Sequence, residues 1–234
     1  MSRKVGLGED IRGQLAAHLG RLEEEGVWGL EVKATSAAST PDEAASTPAP
    51  DRESLEEIAA ETVGCVLCKL SEGRTNVVFG VGPARARLMF IGEGPGRDED
   101  LQGEPFVGRA GQMLNRIIKA MGLRREDVYI ANAVKCRPPR NRNPESDELE
   151  ACGVFLQRQV EAIRPEIIVL LGRVAAQSVL QTGEPLGRLR GSVHEWLGIP
   201  VVCTYHPAYL LRNPADKGKT WQDVQVVMER LAAP

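Results

Sequence analysis

Apolar and polar positions alternate on two different scales along this chain. From residue 53 onward, short apolar runs of strand length are separated by longer stretches whose apolar residues recur at helical spacing. Leu88-Met89-Phe90-Ile91, Val128-Tyr129-Ile130-Ala131, Ile167-Ile168-Val169-Leu170-Leu171 and the run 199–204 read as buried strands. Residues 53–63, 109–121, 145–163, the stretch from Gly172 through Leu180, and 214–231 read as helices. Strands that alternate with helices predict an α/β fold with a mainly parallel sheet covered on both faces. No internal repeat is present.

The first 52 residues follow another pattern. Ile11, Leu15, Leu19 and Leu22 predict an amphipathic helix over 9–25, free to dock on the core or to bind a protein partner. Residues 34–51 are rich in Ala, Ser, Thr and Pro and hold no large apolar residue, which predicts a flexible tether. The expected organisation is an N-terminal helix with tether, residues 1–52, and one folded domain, residues 53–234.

Charge and cysteine content narrow the function. Residues 1–52 carry nine Asp/Glu against six Lys/Arg, so the formal charge of −3 belongs to that segment and the folded part is neutral. A neutral domain is not a strong electrostatic binder of nucleic acid as a whole, and any such contact must come from local Lys/Arg clusters. No apolar run reaches the roughly 18 residues that span a bilayer, and Met1-Ser2-Arg3-Lys4 leads into no signal-peptide core. A soluble, cytoplasmic monomer is expected. Five cysteines in a reducing compartment favour metal or cluster ligation over disulfides.

The glycine-rich stretch Gly92-Glu93-Gly94-Pro95-Gly96, continuing through Pro105-Phe106-Val107-Gly108, stands between the first strand and an amphipathic helix. Loops at the carboxyl ends of strands in open α/β sheets line the crevice where ligands bind, which makes this stretch the expected site. It lacks the Gly-Lys-Ser/Thr ending of a nucleotide-phosphate cradle. Cys65 and Cys68 form a C-x-x-C pair, while 15 residues separate Cys136 from Cys152. Four such thiolates suit zinc and an iron–sulfur cluster alike. Cys203, within Val201-Val202-Cys203, reads as a small buried hydrophobe.

Four signatures then fall in one order: C-x-x-C, Gly92-Glu93-Gly94-Pro95-Gly96 with Pro105-Phe106-Val107-Gly108, Asn132-Ala133-Val134-Lys135-Cys136-Arg137-Pro138-Pro139, and His206-Pro207-Ala208-Tyr209-Leu210. Together they closely resemble the family 4 uracil-DNA glycosylases, the iron–sulfur branch of the uracil-DNA glycosylase superfamily, over roughly residues 53–234. The resemblance implies a three-layer α/β/α fold with a short, mainly parallel central sheet. It also implies a 4Fe-4S cluster held by Cys65, Cys68, Cys136 and Cys152, and hydrolysis of the bond joining uracil to deoxyribose in DNA, leaving an abasic site. Residues 1–52 lie outside it.

Uracil in a duplex is stacked and paired, so such an enzyme has to extrude it into a pocket. Phe106 fits the flat surface on which the base stacks. Asn132, at the end of the second strand, is placed to accept from uracil N3–H and donate to O4, the pattern that separates uracil from cytosine. His206 resembles the family histidine that hydrogen-bonds uracil O2 as negative charge develops on the leaving ring. Glu93, with Gly94 beside it, is expected to position the attacking water or to shape the pocket against the methyl of thymine. Glu99 and Asp100 are further candidates for a water or sugar contact, and Asn141 is a candidate to assist from the basic loop.

Lys135, Arg137, Arg140 and Arg142 lie in a stretch without acidic residues from Ala133 to Pro144 and predict a phosphate-binding surface, to which Arg212 adds. Leu210 and Leu211 are expected to wedge into the duplex where uracil leaves. His18 and His194 read as structural. One relative in the superfamily traps uracil sites through a histidine in an inserted basic loop; the region 137–144 has no histidine and no long insertion, so turnover is expected. The alternatives are a uracil-DNA binding protein without turnover and an iron–sulfur electron carrier, which would leave Phe106, Asn132 and His206 unused.

Overall fold

Five strands order the molecule in this computed structural model, which describes residues 53–232. The helix expected over 9–25 and the tether over 34–51 lie outside the described residues. The strands are β1 (Leu88–Gly92), β2 (Tyr129–Asn132), β3 (Ile167–Leu171), β4 (Val193–Trp196) and β5 (Ile199–Thr204), and the sheet order is β2-β1-β3-β5-β4. The pairings of β1 with β2, β1 with β3 and β3 with β5 are parallel, and β4 joins β5 antiparallel.

The helices are α1 (Leu55–Val63), α2 (Arg97–Gln102), α3 (Arg109–Ala120), α4 (Ser146–Ile163), α5 (Arg173–Val179), α6 (Leu186–Leu189), α7 (Pro207–Arg212) and α8 (Lys217–Ala232). β1, β2 and β3 are buried at every position, as near-continuous apolar strands must be when helices cover both faces. Alternate strand residues feed two cores. Met89, Ile91, Ile168 and Leu170 pack against α1, α4, α5 and α6; Leu88, Phe90, Ile167 and Val169 pack against α3, α7 and α8. The three-layer α/β/α expectation holds.

Local sequence explains the helix ends and faces. α1 begins with a capping box in which Ser54 Oγ accepts from the Glu57 N–H (3.2 Å) and the Glu57 carboxylate accepts from the Ser54 N–H (2.7 Å). α3 turns Met113, Leu114, Ile117 and Ile118 inward, the stripe of an amphipathic helix. Four of these elements, β4, α2 and the short helices α6 and α7, were not visible in the apolar pattern. β4 is a half-exposed edge strand whose Val193 and Glu195 face solvent, so it carries no buried run. α2 lies inside the glycine-rich stretch, where one short polar turn of helix gives no apolar period. Among the described residues no helix is long and apolar enough to cross a membrane.

The parallel strands place the site. β1, β2, β3 and β5 run in one direction, and their last residues are in register: Gly92 pairs with Asn132, and Leu171 with Thr204. The chain leaving each strand therefore enters a common crevice at one edge of the sheet.

Candidate active site

A cleft of about 500 Å³ opens at that edge, lined among others by Glu93, Gly94, Phe106, Asn132, Asn141 and His206. The floor is stitched by backbone bonds: the Ala133 N–H donates to the Gly92 carbonyl (2.9 Å) and the Val134 N–H to the Glu93 carbonyl (3.2 Å). Gly92 has no room for a side chain. A Cβ there would stand 2.4 Å from Asn132 Oδ1 and 2.6 Å from Phe106 Cζ. Asn132 itself is 2% exposed, and among the described residues its side-chain amide takes no hydrogen-bond partner. That leaves both its donor and its acceptor for the cleft.

Phe106 sits at φ 55°, a left-handed conformation that a bulky side chain adopts only when its surroundings enforce it. Glu99 supplies the enforcement. Its carboxylate accepts from the N–H groups of Gly96 (3.1 Å), Val107 (3.1 Å) and Gly108 (3.3 Å), closing the turn on either side of the ring. Glu99 lines the cleft, but three amides already occupy its oxygens, so it positions Phe106. Asp100, the neighbouring candidate, is a structural anchor: it is buried, and its Oδ1 accepts from the Thr75 N–H (2.8 Å) and the Asn76 N–H (3.3 Å).

His206 caps the N-terminus of α7. Its Nδ1 accepts from the Ala208 N–H (3.1 Å), so the neutral ring carries its proton on Nε2. Burial, helped by the positive charge of Arg212, holds its pKa down to about 4, which keeps the imidazole neutral at ordinary pH. The chain passes close behind it at Gly172, where φ is 91° and a Cβ would come within 2.9 Å of His206 Cβ. Across the cleft, the Phe106 and His206 rings lie with centroids 5.6 Å apart.

Burial raises the carboxyl pKa of Glu93, and the charge of Arg173 opposes that rise. Asn143 links the two: with its amide turned to satisfy both, it donates to Glu93 Oε1 (3.2 Å) and accepts from Arg173 (3.3 Å). Neither Asn143 nor Arg173 stood out in the sequence. The available signal was position, since Arg173 opens the helix after β3, at the sheet edge where α/β sites form.

Cys65, Cys68, Cys136 and Cys152 all line one apolar cavity beneath α1 and α4, with Phe155 and Arg74. The Lys135 N–H donates to Cys152 Sγ (3.2 Å) and Arg74 donates to Cys136 Sγ (3.4 Å), donors of the kind that stabilise thiolate charge. Burial pushes the Cys152 thiol up to about 11 even though the Lys135 charge and N–H both pull it down. Among the described residues no group of three or more His, Cys, Asp or Glu side chains is set to hold a single metal ion. Four thiols disposed around a shared cavity suit a polynuclear cluster. Cys203 is fully buried in β5, on the same face as a small hydrophobe.

Residues 79–225 match the family model of the uracil DNA glycosylase superfamily. The chain belongs to this superfamily. A type-4 uracil-DNA glycosylase of Archaeoglobus fulgidus is 49% identical over 185 residues, which cover 76% of this chain and 93% of the relative. Another, of Thermotoga maritima, is 49% identical over 170 residues, covering 71% of this chain and 88% of the relative. A type-5 uracil-DNA glycosylase of Pyrobaculum aerophilum is 33% identical over 169 residues, covering 65% of this chain and 74% of the relative. These identities place the chain in the type-4 branch.

Against that superfamily background the expected DNA face needs three corrections. Lys135 is 2% exposed and turned into the core, where its Nζ donates to the Asn132 carbonyl (2.8 Å); it cannot reach a phosphate. Arg142 lines the cleft, but its guanidinium is held by both oxygens of the buried Glu148 (2.8 and 2.6 Å), which makes it a brace of the loop. Leu210 is 1% exposed in the core between α3 and α8, so it is no wedge; Leu211, 40% exposed, is the residue that faces outward. Arg137 donates through Nε to Asn141 Oδ1 (2.7 Å), which orients Asn141 at the cleft rim. Arg140 and Arg212 are exposed, as are Arg97 and Arg109, which adjoin the lining residues Gly96 and Ala110 and were not foreseen as cleft-side cations.

Proposed function

We propose that this protein removes uracil from DNA by hydrolysing its N-glycosidic bond, leaving an abasic site. The observation that carries the reading is the Asn132 amide, unpartnered at the floor of the cleft between the Phe106 ring and a neutral His206. An extruded uracil lies against Phe106, with Asn132 accepting from N3–H and donating to O4. As the bond from N1 to the sugar breaks, its electron pair moves onto the ring. His206 donates from Nε2 to O2, where that negative charge gathers, and a donor already in place needs no reorganisation during the step. Glu93, set by Asn143 and Arg173, positions the water whose oxygen bonds to the sugar carbon, and the proton that water sheds passes through solvent to neutralise the departing uracil anion.

Cys65, Cys68, Cys136 and Cys152 hold a 4Fe-4S cluster in this reading. When bound, the cluster supplies a rigid four-point anchor. The protein's own residues do the rest: Cys136 and Cys152 fix the two ends of the segment that carries Arg137, Arg140 and Asn141, and so set the rim of the cleft. Arg140, Arg212, Arg97 and Arg109 contact phosphates and set the register of the strand. Residues 53–234 form the catalytic domain of an intracellular monomer, and residues 1–52 serve as an accessory segment with a protein partner.

The deciding experiment is base release from a labelled oligonucleotide with a single uracil, run beside its thymine counterpart, after the visible spectrum of the purified protein is recorded. Release from the uracil strand alone by a brown protein supports the reading. No release from a brown protein overturns it in favour of binding without turnover. Deleting residues 1–50 leaves excision nearly intact if the domain assignment is right, and a large loss would refute that assignment.

A further inference from the structure

The direction of the Phe106 ring depends on two peptides, and Glu99 accounts for one of them. Because peptides are planar, φ and ψ are the rotations of the peptide before and the peptide after a Cα, so a side chain is aimed only when both peptides are held. The peptide after Phe106 is held by Glu99, whose Oε1 accepts from the Val107 N–H (3.1 Å). It is also pressed by α3, where a Cβ on Gly111 would stand 1.8 Å from the Phe106 carbonyl oxygen. The peptide before Phe106 is held by Arg125, which donates to the Pro105 carbonyl (2.6 Å) and to Asn115 Oδ1 on α3 (3.0 Å).

Arg125 is half-buried and is not among the residues that line the cleft. The charge of Glu104 bears on it, but its hydrogen bonds go to a peptide carbonyl and a side-chain amide oxygen. A guanidinium offers its donors as a rigid planar fork, so two acceptors on different elements fix its direction more firmly than one. The turn that carries it is closed as well: the Asp127 carboxylate accepts from the Arg124 N–H (2.8 Å) across the short 3-10 turn Arg125–Asp127 that leads into β2. β2 ends at Asn132. Arg125 thereby ties the turn that carries the stacking ring to the strand that carries the base reader.

We infer that Arg125 is a positioning residue for base recognition: through the Pro105 carbonyl it aims the Phe106 ring at the cleft, without itself touching the DNA. The inference rests on the glycosylase reading above and adds the group that completes the restraint on a left-handed φ of 55°.

The test uses the full chain and an oligonucleotide with a non-cleavable uracil analogue, beside its thymine counterpart. Arg125→Met lowers affinity for the analogue roughly tenfold, part of the roughly 5–150-fold that loss of the whole stack costs, and leaves affinity for the thymine strand unchanged. In a Phe106→Ala background the same substitution lowers affinity no further, because two residues that act as one unit are not additive. An arginine that only supported the fold would lower Tm and leave analogue affinity, measured well below Tm, as in wild type. One that contacted phosphate would weaken both oligonucleotides alike, and one that acted elsewhere would cost the same with and without Phe106. Each of these three results overturns the inference. Should Arg125→Met fail to fold, Arg125→Gln keeps a polar side chain on the turn but is too short to span both acceptors, and wild-type affinity for the analogue there overturns it too. The ring can also be followed without DNA. His206 lies 5.6 Å from Phe106 between ring centroids, so its imidazole proton resonances shift in Arg125→Met toward their positions in Phe106→Ala. A wild-type protein that binds the analogue no better than thymine defeats the functional reading, while those resonances still judge Arg125: unmoved, they overturn its hold on the ring.

Discussion

The rings of Phe106 and His206 stand 5.6 Å apart between centroids, with planes tilted by 31°, although they arrive at the cleft from opposite parts of the chain. Phe106 comes from the turn before α3 and His206 from the end of β5, so the sheet edge is what brings them together. Phe106→Ala removes the stacking wall and leaves the donor in place. Stacking of a base on an aromatic ring contributes about 1–3 kcal/mol, so affinity for uracil-containing DNA falls roughly 5–150-fold. Binding measured on an oligonucleotide with a non-cleavable uracil analogue checks this, and an unchanged Kd would remove Phe106 from the base contact.

His206 has two duties that substitution can separate. It caps α7 through Nδ1 and presents Nε2–H to the cleft. His206→Ala loses both, with a capping cost of about 0.5–2 kcal/mol in stability. His206→Asn retains a capping oxygen and loses the imidazole. Both variants should lower kcat by roughly 10²–10³, the cost of deleting one donor to a developing anion, while only His206→Ala loses the cap's stability. Thermal melts and single-turnover rates on the same preparations distinguish the two contributions.

The pH dependence of excision should report Glu93. Burial raises its pKa and Arg173 lowers it, so removing Arg173 leaves the rise unopposed. If the carboxylate form positions water, the rate drops on the acid side as Glu93 takes up a proton. Arg173→Gln then moves that acid limb to higher pH, because the carboxylate protonates sooner as pH falls. His206 is held neutral down to about pH 4 and does not supply the limb. A kcat/KM profile that is superimposable for wild type and Arg173→Gln would reject this assignment.

Much of the site was legible because chemistry and topology coincide in it. Glu93, Asn132 and His206 each follow an apolar run that becomes a parallel strand, and parallel strands deliver their C-terminal loops to one edge. Charge was less legible. Four cations between Lys135 and Arg142 looked equivalent in one dimension, yet Lys135 points into the core and Arg142 pairs with a buried carboxylate six residues on. Spacing cannot show which face of an irregular loop is buried. Leu210 and Leu211 were ambiguous for a related reason: in a single helical turn adjacent leucines point about 100° apart, and only the packing of α7 against α3 selects which one is inside. The brace between Arg173 and Glu93 joins residues from two strand ends and leaves no local pattern.

The cysteines should divide by their surroundings. Cys136→Ala removes one wall of the four-thiol cavity, so the purified protein should lose its visible absorption and most of its iron. Cys203→Ala lies within β5 and away from that cavity, so the spectrum should stay and stability should fall by about 1 kcal/mol, as for loss of a small buried group. Iron analysis with the visible spectrum checks both, and equal colour in the two variants would contradict the ligand assignment.

Leu211 should govern how much the enzyme depends on duplex structure. It is exposed near the end of α7, next to Arg212 and one helical turn beyond Ala208, which lines the cleft. A side chain there can occupy the space vacated by an extruded uracil, offsetting part of the few kcal/mol that unstacking costs. Single-stranded DNA presents a base already free of its pair, so the same side chain contributes little to it. Leu211→Ala is therefore expected to lower excision from a duplex by roughly tenfold, a fraction of that unstacking cost, while excision from the matching single strand changes much less. Leu210→Ala should behave oppositely. Its side chain packs against α3 and α8, so the loss appears in Tm, by way of about 2–5 kcal/mol of stability, and affects both substrates alike. Rates on the two substrates, measured for both variants well below their melting temperatures, discriminate the roles, and a duplex defect of equal size on single strands would exclude Leu211 as the wedge.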